Sequence, residues 1–295
     1  MNVNEKISRK SFIKASAFAL AAPIWSKLDF NMPSPSKIGI QLYTLRDAIG
    51  KDLEGTLKKV SAIGYKEVEL FGYNDGKFFG KTPKEFKALL AKNGLKPVSG
   101  HYGAGVENKA AKGTLSNDWE RAVDDAAELG HKYVVCAYLT PGERKSIEDY
   151  KKYVDLFNRA GETAKKAGLQ FAYHNHDFEF FKLDGETPYD YIAGKTDPKL
   201  VKLELDLYWI VKAGLDPVEL FKQYPGRFPL WHVKDMDKSD QSFAEVGTGS
   251  IDFKKIFAAR KTAGLTNFFV EQDVSKRPVF DAITTSYKNV KAMKV

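Results

Sequence analysis

Side chains able to bind a metal or move a proton recur in this chain at the ends of short apolar runs. The densest set is Leu169 to Phe181, LQFAYHNHDFEFF, where an apolar start gives way to His174, Asn175, His176, Asp177 and Glu179. On a strand successive side chains alternate faces, so Ala172, His174 and His176 fall on one face and Phe171, Tyr173 and Asn175 on the other. Two imidazoles emerging together from a strand end can ligate a metal or carry protons. The alternative is a pair of hydrogen-bonded loop histidines. The other runs end in similar groups: Gln41, Tyr43 and Arg46; Glu67 and Glu69; His101; Glu204 and Asp206; His232, Lys234 and Asp235; Glu271 and Gln272. Many are pairs two residues apart, whose members point the same way.

His174, Asp206, His232 and Glu271 come from four successive runs. Two imidazoles and two carboxylates, with a net charge of −2 by residue type, suit one divalent ion such as Mn²⁺, Co²⁺ or Zn²⁺, with Mg²⁺ a further option. Mixed nitrogen and oxygen donors disfavour an all-oxygen calcium site. Singly, each has a plainer reading: Asp206 as a helix N-cap, His232 as a satisfied core histidine, Glu271 as a partner for Arg277. Four such residues at the same end of four successive strands point to a metal.

The elements that must position them are regular from Lys37 onward. Strand-like runs begin at Ile38, Glu67, Leu95, Tyr133, Leu169, Val201, Phe228 and Asn267. Helix-like segments lie between: Asp52 to Ile63 puts Leu53, Leu57, Val60 and Ile63 on one face, and Thr82-Pro83 opens the next as N-cap and first helical residue. Ser116 to Leu129, Ser146 to Ala167 and Asp252 to Ala263 follow. Gly64, Gly94, Gly130, Gly168 and Gly264 close helices just before strands. Eight such units in this length predict a single-domain α/β protein, a closed (β/α)8 TIM barrel over residues 37 to 295, with its site at the carboxyl ends of the strands. No G-x-G-x-x-G follows the first strand, and there is no P-loop, so an open dinucleotide-binding sheet is disfavoured. His131 precedes the fourth strand, at the opposite end, and reads as structural. Gly247 and Gly249 in EVGTGS suggest a tight loop near the mouth, a weak phosphate signal by spacing alone.

The formal charge is +8. Residues 1 to 32 carry Lys6, Arg9, Lys10, Lys14 and Lys27 against Glu5 and Asp29, a net of +3, which leaves +5 spread over the remainder. That is weak support for a nucleic-acid partner. The basic start, the apolar stretch Ala15 to Ile24 and the small residues Ala17 to Ala21 read as a signal segment, too short to span a bilayer, with export to the periplasm as the expectation and no stable membrane insertion after its removal. Ser8 to Lys14 is similar to a twin-arginine signal with Lys10 in place of the second arginine. NMPSPS, residues 31 to 36, reads as a linker. Cys136, in YVVCAYL, reads as a small buried hydrophobe, and one cysteine permits no internal disulfide.

The runs IGIQLYTLRD, FAYHNHDFEF, LELDLYW, PLWHVKDM, EVGTGSIDF and FFVEQD together resemble the xylose isomerase-like TIM barrels, a family of sugar phosphate isomerases and epimerases that includes ketose 3-epimerases and inosose dehydratases. The resemblance covers Lys37 to the C-terminus. It implies that Asp206, His232 and Glu271 match the metal-binding Asp, His and Glu, and that His174 stands where better-studied members carry a metal-binding Glu. Trp209 stands where they often have a substrate-contacting His. The chemistry implied is proton abstraction next to a carbonyl through a metal-stabilised enediolate, with Glu271 as the base. His176, Glu204 and His101, in that order, are candidates for the second acid or base, and Lys234 for holding a substrate oxygen. Lys234 could instead be a counter-ion for Asp235 or Glu204. Gln41, Tyr43, Arg46, Glu69, His101 and Trp209 are the expected substrate contacts. The expected partner is a small carbohydrate, in a protein that could form a homo-oligomer. A lyase, dehydratase or hydrolase acting on keto-sugars or 3-keto-glycosides, and a sugar-binding protein without catalysis, are alternatives. The three-metal apurinic endonuclease branch needs more ligands than five histidines, one at the wrong end, supply.

Overall fold

The structure is a computed structural model that describes residues 37–293. The signal segment and linker read in residues 1 to 36 lie outside the described residues. Eight parallel strands close into a barrel: β1 (Gly39–Gln41), β2 (Glu67–Leu70), β3 (Lys96–Tyr102), β4 (Tyr133–Cys136), β5 (Gln170–His174), β6 (Val201–Asp206), β7 (Leu230–Val233) and β8 (Asn267–Val270). Neighbours follow chain order and β8 pairs with β1, which is the (β/α)8 barrel expected.

Helices wrap the outside for the reasons written in their ends. Asp52 caps the helix Leu53–Ile63 by accepting the Gly55 amide, and Gly64 closes it. Thr82 and Glu85 form a capping box on Pro83–Lys92, with Pro83 in the first turn. The amphipathic helices Trp119–Leu129 and Ile147–Lys166 bury Val123, Leu129, Phe157 and Ala164 against the sheet.

Two apolar cores result. The large one lies between the strands and the helices; the small one, inside the barrel, is Val98, Val135, Ala172, Leu230 and Phe269, with Tyr133 packed against it. This plug matters for the site because side chains two residues further along share its inward direction. Above Ala172 come His174 and then His176; above Leu230, His232 and Lys234; above Phe269, Glu271 and Asp273. The apolar layer closes the barrel from below and a polar layer is stacked on top. Cys136 is buried and free.

β1 is shorter than the run IGIQLYT suggested. The chain leaves the sheet after Gln41 and turns through a 3₁₀ helix, Leu42–Leu45, because the Gln41 side chain accepts the Tyr43 amide at 3.0 Å. Strand alternation therefore does not reach Tyr43. No helix among the described residues is long and apolar enough to cross a membrane.

His131 lies in the outer packing, away from the inward polar layer. A side chain at Gly100 would meet its ring at 2.6 Å, and the Phe78 ring stands edge-on at 5.8 Å. Neither ring nitrogen has a hydrogen-bond partner. Burial lowers its pKa to about 3, from about 6.5 in an unfolded chain. Between those values the unfolded chain binds a proton that the folded one refuses. The stability this residue contributes is thus complete above about pH 6.5 and declines as the pH falls towards 3. Replacing His131 with Leu is expected to shrink the stability difference between pH 7 and pH 5 by about 2 kcal/mol, measured by urea unfolding at both pH values; an unchanged difference would refute the neutral buried imidazole.

Candidate metal centre

Each donor at the barrel mouth is placed by the end of its own strand. β6 ends on Asp206, whose two oxygens do different things. Oδ1 caps the helix Leu207–Lys212 by accepting the amides of Tyr208 (2.9 Å) and Trp209 (3.1 Å). Oδ2 is buried and makes no directed hydrogen bond. The N-cap and the ligand readings of Asp206 are therefore compatible. The Asp206 amide is held by Asn175 Oδ1 at 3.1 Å, which ties the ends of β5 and β6 together.

His232, level with Asp206 on β7, uses both ring nitrogens. Nδ1 lies 2.6 Å from Glu271 Oε2 and Nε2 lies 2.5 Å from Glu69 Oε2. One donor atom each from Asp206, His232 and Glu271 lies within 4.8 Å of the others. His174 adjoins them, its Nε2 3.8 Å from Asp206 Oδ2 and its Nδ1 3.0 Å from Glu204 Oε2. His174 also belongs to a second, overlapping group with His101, Glu204 and His232. Ligand atoms about 2 Å from a common ion stand about 3 to 4 Å apart, which a small inward shift of these side chains achieves. With a buried carboxylate oxygen among them that meets Lys234 and His174 but makes no directed hydrogen bond, the residues fit a divalent cation.

Electrostatics at this end are dominated by carboxylates. Lys234 Nζ sits 3.0 Å from Asp206 Oδ2, 2.8 Å from Glu271 Oε2 and 3.0 Å from Asp273 Oδ2. Its partners are these three, and not the Asp235 or Glu204 considered from the sequence. Burial works against charge on Lys234, yet the three carboxylates hold its pKa well above the usual lysine range. Burial likewise opposes ionisation of Glu271, and Lys234 and His232 outweigh it. Asp206 is less well served: burial lifts it to about 6 in spite of Lys234 and His232. Burial and the adjacent Glu69 push Glu204 up, but His232, His101 and His174 bring it down to about 2. Burial, followed by His232, keeps His174 well below the usual imidazole range, so it is neutral and available as a ligand.

A cavity of about 830 Å³ opens over this cluster. Of the expected site residues, Tyr43, Arg46, His101, His174, His176, Lys234 and Glu271 line it. Gln41, Glu69 and Trp209, expected as substrate contacts, are absent from its lining. Gln41 and Glu69 are fully buried, bonded to each other at 2.8 Å, and Glu69 also takes Ser99 and His232 at 2.5 Å each and His101 at 3.1 Å. They orient the histidines from below. Trp209 stands behind His176, its ring 5.5 Å from the imidazole and 5.7 Å from Lys234 Nζ. Glu204, a candidate acid or base, is also beneath the lining, 2.8 Å from His101 Nε2. Asp206 and His232 are not reached by the cavity either, whereas Lys234 is.

The sequence reading omits Asp273 and gives Glu179 and Asp235 no role in shaping the site. Asp273 binds Lys234 and lines the cavity; it lies two beyond Glu271, the same spacing that singled out the other pairs. Glu179 is buried and accepts the Tyr173 hydroxyl at 2.6 Å and the His176 amide at 2.8 Å, which fixes the turn carrying His176. Asp235 accepts the amides of Gly247 (2.8 Å), Gly249 (2.9 Å) and Ile251 (3.2 Å). The glycine loop therefore closes on an internal carboxylate. A side chain at Gly249 would strike Met236 O at 2.2 Å.

Comparison with known proteins accords with this fold. The model of the xylose isomerase-like TIM barrel family matches residues 57–282. An inosose dehydratase of Lacticaseibacillus casei is 25% identical over 268 residues, covering 79% of this chain and 87% of the relative. The crystal structure of a sugar phosphate isomerase/epimerase from Parabacteroides distasonis is 31% identical, with a TM-score of 0.74 over 88% of this chain and 94% of that one. The IOLI protein, solved with a zinc atom, shares the fold at a TM-score of 0.68 and 18% identity, over 87% of this chain and 97% of its own. The relatives so named are enzymes, and with a family match across most of its length this chain belongs to the xylose isomerase-like TIM barrel family.

Proposed function

We propose that the chain is a divalent-metal-dependent sugar isomerase or epimerase that works by removing a proton from the carbon next to a carbonyl. The observation that carries this reading is the convergence of Asp206, His232 and Glu271 donor atoms within 4.8 Å, with Asp206 Oδ2 free of any directed hydrogen bond, under a cavity lined by Glu271, His174 and His176. The zinc in the similarly folded IOLI protein supports a divalent ion in this type of barrel. The residues that would hold it are His174, Asp206, His232 and Glu271. The chemistry such an ion supplies when bound is Lewis-acid stabilisation of the negative charge that develops as the proton leaves.

The chain's own residues supply the rest. Glu271 presents an ionised carboxylate to the cavity and is the base. Lys234, on the same face, donates hydrogen bonds to a substrate oxygen. His176 and His101 line the cavity too and can return the proton or protonate a departing oxygen. A second reading, elimination by a lyase or dehydratase, is favoured by one observation: the β5 side of the cavity offers imidazoles where a matched carboxylate would serve symmetric proton transfer. The inosose dehydratase relatives support it as well.

Two experiments test the assignment. Glu271→Gln is expected to weaken Mn²⁺ or Zn²⁺ binding by about tenfold or more in equilibrium dialysis with elemental analysis, with the circular dichroism of the folded chain retained, and to abolish deuterium incorporation from D₂O into keto-sugars. Wild-type metal binding by that variant would sink the site.

Lys234 provides a test of opposite sign. Its ammonium occupies the three carboxylates a dication would draw on, so Lys234→Met is expected to raise metal affinity by about tenfold, the size of change that neighbours of metal ligands produce. Asp273→Asn removes the carboxylate that can hold the ammonium once the others are engaged, and is expected to lower metal affinity. Metal affinity that moves the same way in both variants would refute this account.

A further inference from the structure

We infer that the cavity takes an unphosphorylated glycoside of two rings, the second ring lying in a side lobe between the loops that follow β3 and β4. The inference rests on the proposed function only for the end of the cavity at which the reacting ring sits. Its lining runs from His174, Lys234 and Glu271 out to Glu107, Asn108 and Ala111 in one loop and Ala137, Tyr138 and Thr140 in the other. At about 830 Å³ the space is in the upper part of the range, about 300 to 1,000 Å³, of cavities that enclose a drug-sized ligand. A single sugar ring against the strand ends would leave the lobe unfilled.

The lobe is built. The buried Glu143 carboxylate accepts the amides of Val106 (2.8 Å) and Glu107 (3.2 Å) from one loop and Thr140 (3.0 Å) from its own, so one side chain staples both. The Thr140 hydroxyl donates to Glu107. The first loop is pinned again where Leu115 and Ser116 amides donate to Gly103 and Ala104 carbonyls at 3.1 Å. Small residues, Gly103, Ala104, Gly105, Ala111 and Ala137, leave room between these walls. Tyr43 and Tyr138, on different sides of the mouth, remain 41% and 40% exposed although both line the cavity. Such half-covered rings offer faces to the C–H side of a sugar or to an aromatic group.

Charge decides against a phosphate. Among the lining residues the lysine and arginine cations are Lys234 and Arg46. The charge of Lys234 is outweighed by the three carboxylates around it, and Arg46 lies 4.5 Å over the Tyr43 ring while donating to the Tyr43 carbonyl. Glu107, Glu143, Glu271 and Asp273 face the same space. The glycine loop amides that could cradle a phosphate are taken up by Asp235.

Isothermal titration of the full chain in saturating Mn²⁺ tests this with D-glucose, D-glucose 6-phosphate and a panel of cellobiose, maltose, trehalose and phenyl β-D-glucoside. At least one two-ring ligand is expected to bind about tenfold tighter than D-glucose, the effect of one or two stacked contacts, and the phosphate ester no tighter than D-glucose. Ala111→Trp, which fills the lobe, is expected to bring the two-ring advantage close to one. Tyr138→Ala, which removes an exposed ring, reports the same ratio if the first variant does not fold. Equal binding of one- and two-ring ligands, tightest binding of the phosphate ester, or an advantage that survives both substitutions overturns the inference. A two-ring preference without metal-dependent deuterium exchange would leave the lobe standing and remove the proposed chemistry; exchange into monosaccharides without that preference would do the reverse.

Discussion

Too little positive charge for the negative charge it holds is the condition around which this barrel mouth is built. Glu69, Glu204, Asp206, Glu271 and Asp273 all lie within ion-pair distance of Lys234 or of His101, His174 and His232. Burying an ionised carboxylate costs several kcal/mol unless a partner of opposite charge and hydrogen bonds compensate it. Lys234 serves three of the five, and the imidazoles serve the rest. Compensation is incomplete at Asp206, which burial leaves at about 6 and whose Oδ2 has no directed bond. A dication held there would relieve that deficit directly and would compete with the proton on His232, since an imidazole must be neutral at the nitrogen it offers.

The fold produces this concentration by a period of two. Inside the barrel an apolar plug of Val98, Val135, Ala172, Leu230 and Phe269 excludes water from below. On β5, β7 and β8 the next inward residues are His174, His232 and Glu271, and the ones after those, His176, Lys234 and Asp273, line the cavity. Because all strands are parallel, every carboxyl end opens on the same side, and the layers of different strands come level. His232 pairs in register with Asp206, and His174 with Glu204. Helix capping is part of the same device: the residue that ends β6 also starts the following helix, so the cap fixes Asp206 Oδ1 and leaves Oδ2 facing inward.

Alternation made much of this legible in the sequence. It predicts that His174, Asp206, His232 and Glu271 meet at one end of the barrel, where the structure brings them together, because each stands at the carboxyl end of its strand. Alternation says less where its regularity stops. It puts Gln41 and Tyr43 on one strand face, but the chain leaves the sheet at Gln41, whose amide turns inward to Glu69 while Tyr43 goes to the rim. Glu69 reads as a mouth residue because nothing in EVELF reveals that four neighbours converge on its carboxylate. Trp209 falls on a helix, where spacing from Asp206 does not place it towards the cavity. Asp273 was legible by the same rule as its neighbours. The lobe was not, since it depends on Glu143 reaching a loop more than thirty residues earlier, a contact no local pattern encodes.

EVGTGS shows why a short motif needs its surroundings. Glycine amides gathered in a turn form an anion site, and the spacing alone is compatible with a phosphate. Here Asp235 accepts three of the loop's amides while burial raises its pKa against the pull of those bonds. The anion that these amides surround is therefore part of the chain, and it follows directly after Lys234 in the sequence. Its position has a consequence for the residue beside it: with Asp235 turned away into the loop, Lys234 is left to the inward side, where Asp206, Glu271 and Asp273 receive it. Alternation sends the two neighbours to opposite faces, and that separation keeps the lysine charge in the cavity instead of neutralising it within its own strand.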